Sequence, residues 1–329
     1  MKKVILTGDR PTGKLHLGHY VGSLANRIKL QDYYDCYFII ADYQFLTDNA
    51  DKTKQIQKNI QEIVLDYLSV GINPKKAHIF IESQVPEIAQ IDLIFSMITT
   101  LSRVKRNPTI KEQIQTLKLK QPSLGYVSWP VTQAADILSV RADVVPVGKD
   151  QVPHVELTRE IASKFNRMYK KVFPVPSALV GQTPTLPGLD GKKMSKSRGN
   201  AVYLSDSEKE VEKKIMTAIT DPEKIKIDDI GHPEICNIYQ YYKAFFPKRA
   251  GEIKKECQKG KIGCVACKKE LAKELNEFLK PIRAKRKQFE KKPGLIEQIL
   301  KKGREDTQKR AKKTLDLMKK GMGIHYFMK

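Results

Sequence analysis

The feature that most constrains this chain is a regular alternation of short apolar runs with helix-spaced segments over its first half. Residues 4–7 read as a strand that runs straight into a glycine-containing turn, and 19–30 read as a helix. Residues 37–41 form a continuous apolar run, the pattern of a buried strand. Residues 52–68 carry Ile56, Ile60, Ile63, Val64 and Leu68 on one helical face. A further strand is expected at 79–82 and an apolar helix at 91–101. Strands and helices in alternation imply a parallel sheet covered on both faces, with ligands outside the carboxyl ends of the strands. The expected class is α/β, with a Rossmann-like parallel-sheet domain over residues 1–200.

Beyond residue 200 the texture changes. Segments 208–219, 267–279, 283–290 and 306–320 have helical spacing, and none reads as a strand. Breaks fall at Asp221-Pro222, His232-Pro233 and Lys292-Pro293-Gly294. Residues 201–329 are therefore expected to form a second, all-helical domain.

Charge is uneven along the chain. Residues 251–329 hold 24 basic and 10 acidic side chains, whereas residues 1–250 hold 36 and 27. A basic helical end suits a polyanionic partner, most simply nucleic acid. Lysine supplies 47 of the 60 basic residues, so a general lysine bias is the competing explanation. No run of 18 apolar residues occurs, which argues against a membrane-spanning helix. The N-terminal Met1-Lys2-Lys3 and its four apolar-leaning followers are too short for a signal peptide, so the cytoplasm is expected.

Two motifs carry chemistry. The first is Thr12-Gly13-Lys14-Leu15-His16-Leu17-Gly18-His19, after the first strand and at the mouth of the first helix. Glycine lets backbone approach a phosphate, and a helix N-terminus offers free N–H groups. His16 and His19 stand three apart and can donate to phosphate oxygens. The pattern is neither GxGxxG nor GxxxxGK[ST]. The second is Lys193-Met194-Ser195-Lys196-Ser197, introduced by the Asp190-Gly191 turn. Two lysines three apart could hold a pyrophosphate leaving group as charge builds on it. Taken singly, each motif could be an ordinary glycine turn or a solvated lysine loop.

In this order and about 180 residues apart, HLGH and KMSKS resemble the signature of class I aminoacyl-tRNA synthetases. Gly8-Asp9-Arg10-Pro11-Thr12-Gly13, Ala134-Ala135-Asp136-Ile137-Leu138, Val145-Pro146-Val147-Gly148-Lys149-Asp150-Gln151 and His154-Val155-Glu156-Leu157-Thr158-Arg159-Glu160 narrow the likeness to the tryptophanyl-tRNA synthetases. It runs over essentially the whole chain, and the tyrosine enzymes are the nearest relatives in fold. The resemblance implies ATP contacts from Arg10, Pro11, Thr12, Gly18 and His19. It implies ribose contacts from Gly148, Lys149, Asp150 and Gln151. The loop Lys193, Met194, Ser195, Lys196 and Ser197 would meet the phosphates, with His16, His19, Lys193 and Lys196 as the groups acting in catalysis. Asp136 would accept the indole N–H of tryptophan, and Gln44, Trp129 and Gln133 would line the same pocket. Indole is a donor only, so a site selecting it needs a buried acceptor. Trp129, the single tryptophan, could equally be core packing.

Five positions depart from the commoner pattern of the resembled family: Arg10, Gln44, Trp129, Gln133 and Lys149. The resemblance therefore leaves the partners of the substrate ammonium and carboxylate unassigned. Its other implications are Mg²⁺ with the triphosphate, tRNA(Trp) as partner of the helical domain, and a homodimer. The competing functions are tyrosine activation on the same fold, and a synthetase-like RNA-binding regulator that does not charge tRNA.

Five cysteines complete the reading. Cys36 opens an apolar strand and reads as a small buried hydrophobe. Cys236, Cys257, Cys264 and Cys267 are spaced C-x20-C-x6-C-x2-C. Four clustered thiols in a cytoplasmic chain point to a metal site rather than disulfides. Spacing alone leaves zinc, an iron–sulfur cluster or free thiols open. The resemblance leans to a [4Fe–4S] cluster, because a subset of the family carries C-x22-C-x6-C-x2-C in its anticodon-binding domain. Lys259, Lys261, Lys268 and Lys269, in and around this set, are candidate phosphate contacts.

Overall fold

The computed structural model describes residues 2–116, 121–181 and 186–326, without the side chains of Gln113, Thr116 and Ser197. Five strands form one parallel sheet in the order β3-β2-β1-β4-β5. They are β1 (Val4–Asp9), β2 (Asp35–Ile40), β3 (Ala77–Ile81), β4 (Val144–Val147) and β5 (Ser177–Val180). Strand order reverses between β1 and β4, which opens a crevice at their carboxyl ends.

Between β1 and β2 lie α1 (Leu17–His19), a π-helical turn over Tyr20–Leu24, and α2 (Ala25–Leu30). Helices α3 (Asp42–Asn49) and α4 (Ile56–Val70) lead to β3. Four helices precede β4: α5 (Pro86–Ile98), α6 (Leu101–Lys105), α7 (Pro108–Thr116) and α8 (Leu124–Ser139). α9 (Val152–Met168) joins β4 to β5. Then follow α10 (Glu208–Met216), α11 (Asn237–Phe245), α12 (Pro247–Gln258), α13 (Cys264–Glu290) and α14 (Leu295–Met322).

Alternation along each strand divides the core into two layers. Ile5, Phe38, Ile40, Ile79 and Ile81 meet α4 through Ile60, Ile63, Val64 and Tyr67. Val4, Leu6, Tyr37, Ile39 and Phe80 face α5, α8 and α9 through residues such as Phe95, Ile137 and Phe165. No helix among the described residues is long and apolar enough to cross a membrane.

Several boundaries move. The apolar helix expected at 91–101 is α5, which starts at Pro86, a residue suited to the first helical turn, and ends at Ile98 because Thr99 is extended. The expected pair 267–279 and 283–290 is a single helix, α13, with Pro281 inside it. Its neighbours Leu279 and Ile282 are buried in the core, and that packing outweighs the backbone bond the proline removes. The 306–320 segment lies within the longer α14, which Gly294 opens at φ +72°.

α14 returns to the sheet. A Cβ on Gly303 would lie 1.9 Å from the Ile79 carbonyl oxygen, so helix and strand backbones touch there. Ala311, Leu315 and Met318 of α14 join the second core layer.

Candidate active site

The first motif forms a tight turn at the carboxyl end of β1. Gly13 has φ +101°, a conformation that suits glycine. The Pro11 carbonyl accepts from Asn59 at 2.9 Å, and the Leu15 N–H donates to Asp66 at 2.7 Å. His16 precedes α1, and its backbone N–H donates to Nδ1 of His19 at 3.1 Å. Accepting at Nδ1 leaves the proton of a neutral His19 on Nε2, where it is free to donate. The two rings pack with centroids 3.7 Å apart. Burial, then the neighbouring His19 and Lys196, lower the pKa of His16 to about 3. Burial, only partly opposed by Asp9, lowers that of His19 to about 4. Both are neutral at pH 7, so any donation to phosphate is by a neutral imidazole. The π-helical turn that follows is a distortion common at functional sites.

The basic loop closes onto this turn. Lys196 donates through Nζ to the Gly13 carbonyl at 2.7 Å and to the Thr12 hydroxyl at 2.9 Å. Met194 is buried, and a Cβ on Gly18 would lie 3.4 Å from its sulfur. Asn200 organises the loop by accepting from the Ser195 N–H at 2.8 Å and donating to Asp190 at 2.6 Å. Lys193 is exposed, and its carbonyl accepts from Asn200 at 3.2 Å. The Ser197 side chain lies outside the described part. Burial lowers the pKa of Lys196 to about 8, against the favourable charges of Asp9 and Asp66.

Across the crevice, Gly148 follows β4, and Lys149, Asp150 and Gln151 form a 3₁₀ turn into α9. A Cβ on Gly148 would lie 2.7 Å from a carboxylate oxygen of Asp150. Arg10 is turned to an ion pair with Asp48 on α3.

Trp129, Gln133 and Asp136 share one face of α8 at i, i+4 and i+7. Each keeps a buried atom without a hydrogen-bond partner: Nε1 of Trp129, Oε1 of Gln133 and Oδ1 of Asp136. Three orphaned polar atoms on one face point to a polar ligand or water between them. Asp136 is only 2% exposed. Burial, with Glu82, Asp92 and Asp42 nearby, raises its pKa well above the carboxylate range. That shift favours the protonated form, and in either form a carboxyl oxygen can accept a hydrogen bond. Gln44 sits on α3, and its backbone N–H reaches Glu82.

Four residues escaped the sequence reading. Asp9 receives Arg27 at 2.7 Å and the Tyr67 hydroxyl at 2.5 Å, which fixes the end of β1. Burial alone would raise the pKa of Asp9, but Arg27 chiefly holds it down at about 2. Glu82 is fully buried beside the Asp136 pocket, and burial with Asp42 raises its pKa to about 8. Asp9 adjoins the motif, but nothing in the sequence marked Arg27, Tyr67 or Glu82.

The four cysteines line one pocket with Lys224, Pro233, Ile238, Tyr239 and Ile262. Cys236 precedes α11, and burial raises its pKa even though backbone N–H groups of Tyr239 and Ile238 donate to its sulfur. Cys264 and Cys267 lie on the first turn of α13. Among the described residues, Asp221, Glu223 and His232 are the one group of three or more ligand atoms within 4.8 Å of one another. A tetrahedral zinc with bonds of ~2.3 Å would need its sulfurs within about 4 Å. No three of the four thiol sulfurs lie within 4.8 Å of one another, so the described residues show no assembled cysteine cluster. Lys259, Lys261 and Lys269 are exposed, whereas Lys268 donates to the Met216 carbonyl at 3.2 Å and holds the end of α10.

Comparison with known proteins agrees with this geometry. The family model for class I tRNA synthetases (W and Y) matches residues 2–280. The tryptophan--tRNA ligase of Borreliella burgdorferi is 47% identical, covering 91% of this chain and 87% of its own. That of Aquifex aeolicus is 38% identical, covering 97% and 99%. The crystal structure of tryptophanyl-tRNA synthetase from Campylobacter jejuni, complexed with ADP and tryptophan, superimposes with a TM-score of 0.87 at 31% identity, covering 97% and 99%. With a sheet crevice closed by its two signature motifs and relatives of this kind along its whole length, the chain belongs to the class I tRNA synthetases, in the tryptophan--tRNA ligase family.

Proposed function

We propose that this chain activates L-tryptophan with ATP and transfers it to the 3′ end of tRNA(Trp), using the residues assembled at the β1–β4 crevice. The observation that carries this reading is the contact of Lys196 with Thr12 and Gly13, which faces both signature motifs toward one phosphate-sized place. A tryptophan carboxylate oxygen attacks the α-phosphorus, the bond to the bridging oxygen breaks, and pyrophosphate leaves with its electron pair. A terminal ribose hydroxyl then attacks the carbonyl of the mixed anhydride and AMP leaves. No protein nucleophile is required. Catalysis is positioning and charge stabilisation.

Lys196 exchanges the Gly13 carbonyl for phosphate oxygens as the triphosphate enters, and exposed Lys193 swings in beside it. His19 donates from Nε2, while His16 stays neutral and shapes the helix entry. Gly148, Lys149, Asp150 and Gln151 receive the ribose side, and Arg10, Pro11, Thr12 and Gly18 border the nucleotide. Mg²⁺, when bound with the triphosphate, neutralises phosphate charge. Asp136 accepts the indole N–H, with Trp129, Gln133 and Gln44 around it. Tryptophan-dependent against tyrosine-dependent ATP–pyrophosphate exchange tests the reading. Exchange with tyrosine alone would overturn the role of Asp136.

Residues 201–329 serve as the helical anticodon-binding part, with α14 returning to the sheet. Their excess of basic side chains supports a salt-sensitive contact with tRNA phosphates. A homodimer is supported by exposed apolar side chains: Leu93 and Met97, one turn apart on α5, with Leu101 and Leu124 at the starts of α6 and α8. The cytoplasm, where tRNA is charged, is the proposed compartment. For the four cysteines we keep a [4Fe–4S] cluster, supported by their shared pocket. Thiolate bonds from Cys236, Cys257, Cys264 and Cys267 would staple α11, α12 and α13 together. Iron and sulfide analysis of anaerobically purified protein, with its visible spectrum, tests this. About four irons per chain are expected, and stoichiometric zinc without colour would replace the cluster.

A further inference from the structure

Arg286 stands near the carboxyl end of α13 and is buried. Its guanidinium holds three carboxylates: Asp66 at 2.6 Å and Glu62 at 2.5 Å, both on α4, and Glu290 at 2.8 Å on its own helix. Asp66 is itself fully buried, and its second oxygen receives the Leu15 N–H at 2.7 Å. Leu15 belongs to the turn that Lys196 holds from its other side, at Thr12 and Gly13. A continuous chain of charge-assisted contacts therefore runs from a helix of the basic C-terminal part to the nucleotide turn.

We propose that Arg286 is a positioning residue for ATP: by holding the Asp66 side chain that receives the Leu15 N–H it fixes the backbone of the turn 12–15, so that the nucleotide half of the site is completed by α13. The inference rests on the ATP-dependent reading above. α13 suits the role, because Leu271, Leu275, Leu279 and Ile282 bury one face of it in the core. The cysteine pocket lies at its other end, and 22 residues from Cys264 to Arg286 make a rod of about 33 Å.

The electrostatics are poised for dependence on Arg286. Burial lifts the pKa of Asp66 to about 6, even with Arg286 and the Leu15 N–H holding it down. Three carboxylates on one guanidinium leave no spare positive charge, so without Arg286 the carboxyl takes up a proton. A protonated Asp66 is a weaker acceptor for Leu15. Lys196 would lose a nearby negative charge at the same time.

The test is calorimetric ATP binding to the full-length protein, measured without tryptophan, for wild type, Arg286→Gln and Arg286→Lys, with tryptophan binding measured separately. Arg286→Gln is expected to weaken ATP about tenfold and to leave tryptophan within about twofold. Arg286→Lys retains the charge and should recover most of the ATP affinity. Asp66→Asn should weaken ATP to a similar degree, and the double variant should be no worse than either single one. If Arg286→Gln does not fold, Asp66→Asn decides, since Arg286 then keeps Glu62 and Glu290. Unchanged ATP affinity in a folded variant overturns the proposal. So does an equal loss for ATP and tryptophan with a lowered melting temperature, the mark of a structural strut. Tryptophan-dependent pyrophosphate exchange by the wild type is scored apart. Its failure would count against the ligase reading while the ATP comparison still judges Arg286.

Discussion

Lys196 donates its ammonium to the carbonyl of Gly13 at 2.7 Å, joining two motifs 183 positions apart in sequence. In the function proposed above, this lysine exchanges that carbonyl for phosphate oxygens of ATP. Replacing it by alanine should lower kcat for pyrophosphate exchange about 10²–10³-fold, the effect of removing one preorganised donor. Single-turnover formation of the adenylate is the measurement.

The same lysine gives a pH signature. Its pKa is lowered to about 8 by burial, so the free protein loses this positive charge as pH rises through 8. ATP affinity should therefore fall as pH rises through 8, and on the acid side should fall only as pH drops toward 6, where Asp66 takes up its proton. Lys196→Arg keeps its charge over that range and should remove the step. Calorimetric titration of ATP between pH 6.5 and 9.5, as about seven points, would show it.

His19 is expected to act as a neutral donor. His19→Ala should lower kcat with little change in the tryptophan KM, because no contact with the indole pocket is lost. Its effect should be flat from pH 6 to 8, since an imidazole whose pKa is about 4 does not titrate there. Exchange kinetics at several pH values check both statements.

Asp136 carries an orphaned buried oxygen at the proposed indole pocket. Asp136→Ala should raise the tryptophan KM by about 10–100-fold, the cost of one unmade buried hydrogen bond, and leave the ATP KM alone. Asp136→Asn, still an acceptor and isosteric with the carboxyl group, should lie between. Equal tryptophan KM values for all three proteins would remove Asp136 from recognition.

Gly303 and Ile79 test the docking of the last helix. A side chain at 303 would collide with the Ile79 carbonyl, so α14 must lift from β3. Gly303→Val should cost several kcal/mol, at or above the usual overpacking range of about 1–3 kcal/mol. Urea unfolding of the variant against wild type measures this.

The alternating first half, the glycine turn, the basic loop and the four-cysteine spacing were legible because each is local. Periodicity reports which face is buried, and a motif reports its own chemistry. Segment ends were less so. β4 and β5 are four residues each and gave no period to read. α8 carries Gly125 and Pro130, which disguise a helix that tertiary packing enforces. Pro281 likewise divided α13 in sequence but not in space.

The sequence by itself determined the class of fold, the two signature motifs and the residue types able to meet ATP and tryptophan, since these follow from spacing along one chain. Tertiary structure decided which distant charges meet. Arg27 reaches Asp9 across 18 positions and Arg286 reaches Asp66 across 220. Their burial makes those pairings obligatory, because a charge out of water must find its opposite. It also made the signature histidines neutral and raised the pKa of Asp136. Protonation state depends on burial and neighbours, which no linear spacing encodes.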